Sequence, residues 1–234
     1  MQHMTIGGLS AALWGRESRG VIVAIHGNFS SKTDVPVQML ARRAGLAGWQ
    51  VLSVDLPRHG ARTDEDTPCK MRICVQEISQ VMAFARERWQ TVGLFAVSMG
   101  AYIGWLACEA QPPAFAWLLS PALDMRRITQ EMMRAAGVTP EQLARDGEAT
   151  APSGQTFWQD DYAYISAHAV RAWPCPCAVL CGAHDALTPL EDMRAFAAHG
   201  GYALTICASA GHWFHTPQEL EALGAWMDEN IACL

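Results

Sequence analysis

The sequence predicts an α/β fold with a mostly parallel central sheet and helices on both faces. Three observations carry that prediction. Short β-rich runs alternate with helix-patterned segments, the runs are apolar almost throughout, and polar residues gather in short turns between a run's end and the next helix start. Strands covered on both faces read as continuous apolar stretches, whereas strands with one wet face alternate with period two.

Taken in order, TIGGLSAALWG supplies one or two short edge strands near the N-terminus. The buried runs follow: VIVAIHG (21–27), VLSVDLP (51–57), VGLFAV (92–97), AFAWLLS (114–120), CAVLCG (177–182) and YALTICA (202–208). Helices are expected at about 33–47, 69–89, 99–110, 190–199 and 217–231. The second places Ile73, Ile78, Val81, Met82 and Ala85 on one face at helical spacing, which is a core stripe. TPEQ (139–142), TPLE (188–191) and TPQE (216–219) share a helix-start pattern. Threonine caps, proline suits the first helical position, and Gln142, Glu191 or Glu219 closes a capping box, so helices should begin at Pro140, Pro189 and Pro217. Residues 122–173 break the alternation: two helices, DMRRITQEMMRAAGV and TPEQLARDG, precede a polar, aromatic loop, ATAPSGQTFWQDDYAY. A long insertion at a strand's carboxyl end commonly forms a lid, so this segment reads as a helical cap within a single domain spanning 1–234.

Composition narrows the function. Half of the residues are hydrophobic and 17% are charged, so a large core forms readily. A net charge of −6 without charged runs argues against nucleic acid or an anionic membrane surface as partner. The N-terminus lacks the pattern of a secretory signal and no apolar stretch is long enough to span a bilayer, which points to a soluble, cytoplasmic protein. Most of the eight cysteines lie in apolar runs, where a reduced cysteine packs as a small hydrophobe. CPC at 175–177 has no second pair to complete a zinc site, so neither metal nor organic cofactor is expected.

A serine hydroxyl becomes a nucleophile only when a base takes its proton and a third group orients that base. Ser98, in AVSMG, stands between a strand-like run and a helix-like segment, the strand–turn–helix setting that presents a reactive serine. The turn needs small residues on either side. Gly100 satisfies this, and Ala96 adds a single methyl where the usual pattern has glycine. His212, in AGHWF after the last strand, is the candidate base, ahead of His215. Asp185, in CGAHDALTP, is the candidate orienting acid, with Asp124 second, while His184 lines the site or faces solvent. The loop HGNFS (26–30) can aim the N–H of Asn28 or Phe29 at an oxyanion beside the N–H of Met99.

These residues, in the order oxyanion loop, Ser98, Asp185, His212, resemble the α/β-hydrolase superfamily, specifically its compact single-domain esterase-like members. The resemblance spans about residues 20–231 and is weakest across 122–173. DLPRHG (55–60) looks like that family's D-x-P-G-H-G turn with Arg58 in place of a glycine, so Asp55 and His59 shape the turn. The resemblance implies a serine hydrolase acting on a small acyl substrate, with carboxylic esters expected first. Thioester, amide or C–C bonds stay open, as does a non-catalytic protein that binds a ligand in the same fold. Met132, Met133, Trp158 and Trp213 are the expected lining of an acyl pocket.

Overall fold

The computed structural model describes residues 1–152 and 154–234. The N-terminal segment forms two strands, β1 (Gln2–Ile6) and β2 (Leu9–Trp14), as the edge-strand reading expects. They are followed by β3 (Gly20–Ile25), α1 (Val35–Leu46), β4 (Gln50–Val54), α2 (Met71–Arg88), β5 (Thr91–Val97), α3 (Met99–Ala107) and β6 (Ala116–Leu119). After a long excursion come β9 (Cys177–Gly182), α7 (Leu190–Gly200), β10 (Ala203–Cys207) and α8 (Pro217–Ile231). The strand order is β1-β2-β4-β3-β5-β6-β9-β10; β2 pairs antiparallel with both β1 and β4, and every pairing from β4 onward is parallel.

The apolar runs are sorted by the pleat. In β3, Val21, Val23 and Ile25 join one core with Ile78, Val81 and Met82 of α2 and Ile103 of α3. Ile22 and Ala24 point the other way, into a core with Val37 and Leu40 of α1 and Leu223, Trp226 and Met227 of α8. Both faces of each central strand are therefore dry, which is why no alternation is visible in the sequence. On α2 the fully buried stripe runs through Cys74 and Ile78, and the expected Ile73 is only half-buried.

The helix starts divide three ways. α8 begins at Pro217 with the complete capping box between Thr216 and Glu219. In the excursion, α5 (Pro140–Asp146) begins at Pro140 with Thr139 accepting from the Gln142 N–H, without the return bond from Gln142. α7 departs from expectation, starting at Leu190 with Pro189 in the capping position. Thr188 does not cap it, because its hydroxyl donates to Pro121 O at 3.0 Å.

The excursion between β6 and β9 contains more order than the sequence suggests. α4 (Met125–Ala135) and α5 are the two expected helices. The expected loop is instead a short antiparallel hairpin, β7 (Glu148–Thr150) with β8 (Thr156–Trp158), followed by α6 (Gln159–Ala167). A small separate core of Met133, Val138, Leu143, Ala151 and Phe157 holds the hairpin to α4 and α5. Three-residue strands carry too little periodicity to be read, and only this packing fixes them. Among the described residues no helix is long and apolar enough to cross a membrane.

Candidate active site

The site gathers at the carboxyl ends of β3, β5, β9 and β10. β5 hands the chain to α3 through a single residue, Ser98, whose backbone lies at φ 51°, ψ −119°. That left-handed conformation costs a non-glycine residue about 1–3 kcal/mol and persists only where the surroundings over-determine it. Here they do: the Ser98 N–H donates to Leu119 O at 3.0 Å, and its carbonyl accepts from Ala101 and Ala122. The turn also brings α3 hard against β3, so a Cβ at Gly100 would collide with the carbonyl oxygens of His26 and Ile25. Ala96, fully buried, pairs with Ile25 and Leu118 across the neighbouring strands, where its one methyl is accommodated.

The neighbouring strands β9 and β10 carry the other two candidates. Their pairing continues beyond the strands, with Ala183 N–H donating to Cys207 O and His184 N–H to Ala210 O. This stitches the Asp185 turn to the His212 loop. Ser98 Oγ lies 2.8 Å from His212 Nε2, and His212 Nδ1 lies 2.8 Å from Asp185 Oδ2. The second Asp185 oxygen accepts from the Leu187 and Thr188 N–H groups at 2.8 and 2.9 Å. Asp185 is thus held by two backbone donors on one oxygen and by the imidazole on the other, which makes the Nδ1-protonated tautomer the fitting one. All three residues are buried, and the Trp213 ring stands edge-on to His212 at 5.1 Å.

The remaining candidates divide clearly. Asp124 is exposed and caps α4, accepting from the Arg127 N–H. His184 is exposed, and His215, also exposed, faces Trp213 O and Glu219. Met99, Asn28 and Phe29 border the same cavity as Ser98. Met99 opens α3, where an N–H has no intrahelical acceptor.

The loops after β3 and β4 are locked together beneath this cavity. His26 is buried, its Nδ1–H donating to Gly27 O and its Nε2 accepting from the Leu56 N–H. Burial lowers its pKa to about 4, so it stays neutral near pH 7. Asp55 accepts from the Lys32 and Ala61 N–H groups and pairs with the Lys32 ammonium. Burial opposes its charge, yet these partners outweigh it and hold the carboxyl below its usual range. Arg58, where the D-x-P-G-H-G pattern has glycine, adopts φ 63°, the conformation that pattern demands. His59 Nε2 lies 3.0 Å from Asn28 Oδ1 and its Nδ1 2.8 Å from Pro57 O.

A cavity of about 750 Å³ rises above Ser98 and is closed on its far side by the excursion. Met132, Trp158 and Trp213 line it as expected. Met133 does not; it is buried in the small core under the hairpin. Sequence reasoning missed Cys69 and Asp161 in this wall, because neither sits in a motif and the segment leading into α2 meets α6 from a distant part of the chain. Among the described residues no group of three or more His, Cys, Asp or Glu side chains is placed to hold a metal ion.

Comparisons with known proteins agree with this architecture. A sequence model described as the alpha/beta hydrolase family matches residues 22–223. Comparison with curated proteins gave no match. Among solved structures, the chain is similar to Est1E from Butyrivibrio proteoclasticus, at 20% identity and a TM-score of 0.79, covering 98% of this chain and 99% of that one. It is also similar to alpha/beta hydrolase domain-containing protein 10 from mouse, at 16% identity and a TM-score of 0.78, with 99% and 98% covered. A putative hydrolase from Agrobacterium vitis S4 aligns at 18% identity and a TM-score of 0.75, over 98% of both chains. At these identities the structural likeness shows the fold, and the family match spans most of the sequence: the chain belongs to the alpha/beta hydrolase family.

Proposed function

We propose that this protein hydrolyses carboxylic esters of small molecules, with Ser98 as nucleophile, His212 as general base and Asp185 as the group that orients it. The observation that carries the reading is the unbroken chain of 2.8 Å contacts from a buried carboxylate, through an imidazole, to a serine hydroxyl on a strained turn facing a cavity. Ser98 Oγ attacks the acyl carbon as its proton passes to His212 Nε2, and Asp185 stabilises the imidazolium that forms. The Met99 N–H, with that of Asn28 or Phe29, receives the oxyanion, each donor contributing about 3 kcal/mol to the transition state. His212 then protonates the leaving alkoxide, and water, activated in the same way, releases the acid.

The excursion 122–173 acts as a cap in this reading, and Met125, Ile128, Met132 and Trp158 give the acyl group an apolar wall. Est1E, similar in fold, has been solved with ferulic acid bound, which supports esters of apolar or aromatic acids as the first to try. No metal or organic cofactor takes part in the proposed steps. Eight free cysteines fit a reducing compartment such as the cytoplasm.

A fluorophosphonate probe followed by mass mapping tests the mechanism. One adduct on Ser98, absent from Ser98→Ala, is expected; no label on the folded protein, or label elsewhere, refutes it. A panel of ester, thioester and aminoacyl-amide substrates tests the bond class. Esters should turn over fastest, and a faster thioester or amide overturns that part.

A further inference from the structure

Two cysteines flank the start of α2 with their sulfurs 3.7 Å apart. Cys69 is half-buried in the cavity wall, while Cys74, on the first turn of the helix, is fully buried. The surroundings treat the two sulfurs oppositely. The Cys74 S–H and the His59 imidazole act on Cys69 against burial and hold its thiol below the usual range. Cys69 and burial push Cys74 well above it. For His59, burial works against the charge, but Cys69 and the Pro57 carbonyl outweigh it and raise its pKa. The cavity-lining Cys69 is thus the sulfur favoured to ionise, with the Cys74 thiol 3.7 Å behind it and His59 in the same cavity wall. Reactive, oxidisable cysteines have this combination of thiolate character, access and an adjacent resolving thiol.

We propose that Cys69 and Cys74 form a peroxide-sensitive pair that closes to an intramolecular disulfide in the cavity wall. The Cys69 thiolate attacks one oxygen of hydrogen peroxide, the O–O bond breaks, and Cys69 sulfenic acid forms as hydroxide leaves and takes up a proton to become water. Cys69 is oxidised by two electrons and the peroxide is reduced by two. Cys74 sulfur then attacks the sulfenic sulfur; the S–S bond forms, the S–O bond breaks, and the hydroxyl departs with the Cys74 proton as a second water. A dithiol reductant reverses the product by thiol–disulfide exchange. Closing the sulfurs from 3.7 Å to about 2.05 Å is a short movement, since Cys69 lies just ahead of α2 and Cys74 on its first turn. The two cysteines bracket Met71, whose N–H donates to Asp161 of α6 at 2.7 Å. Oxidation is therefore felt where the excursion meets α2.

The sequence provides a direct readout, because Lys70 and Arg72 place the cysteines on separate tryptic peptides, 63–70 and 73–86. The full chain is treated with hydrogen peroxide, quenched, alkylated with iodoacetamide in denaturant and digested without reductant. The expected product is those two peptides joined, lost on adding dithiothreitol, and formed at least tenfold faster than any oxidation of the exposed Cys233. In Cys74→Ser, dimedone should trap Cys69 as its sulfenic acid; in Cys69→Ser, Cys74 should stay reduced. Cys69 remaining reduced, Cys69 reaching the sulfinic acid without the linked pair, or Cys74 oxidising at an unchanged rate in Cys69→Ser each overturns the proposal. None of these readouts depends on ester hydrolysis.

Discussion

Ala96 shows how much one atom matters at the turn. Its methyl lies on the same face as Ile25 and Leu118, which pair with it across the sheet, and Gly100 of α3 presses on Ile25 from that side. Ala96→Gly removes a methyl from a filled space and should cost about 1 kcal/mol while leaving fluorophosphonate labelling of Ser98 intact. Ala96→Val adds two carbons where backbone and side chain already meet; it should destabilise by about 1–3 kcal/mol and slow labelling. Denaturant unfolding and labelling rate measured together check both, and equal behaviour of the two variants would contradict the packing. The serine and its small neighbours were legible in the sequence because the turn's steric demand is local. Its strain was not, because φ at Ser98 is imposed by the Leu119 carbonyl and the Ala122 N–H of the next strand's exit.

Among the elements, α6 carries the largest departure from the sequence reading and also the most unusual carboxylate. Asp161 is buried against the start of α2. Burial raises its pKa to about 6, with the Met71 N–H opposing the shift. A carboxyl whose folded pKa exceeds its unfolded value binds its proton more tightly when folded. Its contribution to stability is complete below about pH 4 and is lost as pH rises through 6. Asp161→Asn keeps a neutral acceptor for Met71 at every pH. Relative to that variant, the native protein should lose up to about 3 kcal/mol between pH 4 and 7. Urea unfolding across that range tests the expectation, and parallel stability curves for the two proteins would count against it. No pattern in QDDYAY distinguishes Asp161 from Asp160. Yet Asp160 is an exposed partner of Lys70, whereas Asp161 faces the interior.

For the molecule as a whole, the cavity exists because the excursion is tied down on its far side. Lys70 pairs with Asp160 and lies 5.3 Å from the centre of the Trp158 ring, while Asp161 holds the first turn of α2. Met132 and Trp158 belong to the excursion, and Ser98 belongs to the sheet. If these walls bind the acyl group, Met132→Ala and Trp158→Ala should raise KM for long-chain esters by about tenfold, the equivalent of 1–2 kcal/mol of lost apolar contact. Acetate esters, too short to reach the wall, should keep their KM, and kcat should change little. Steady-state kinetics over a chain-length series decides it; a uniform fall in kcat for every ester would point to a disturbed Ser98 instead.

The alternation of strands and helices, the turn at Ser98, and the loops bearing Asp185 and His212 were all set by local patterning, which a sequence displays directly. Hydrophobic period, small residues and helix caps act over a few neighbours. Which acid meets His212 was decided by the pairing of β9 with β10, which turns Asp185 inward, while Asp124 is spent on capping α4. The hairpin, the cavity, the exclusion of Met133 from its wall and the presence of Cys69 and His59 in that wall also belong to the tertiary structure alone. Each depends on distances between segments far apart in the chain, and burial, charge and reactivity change only once those segments touch.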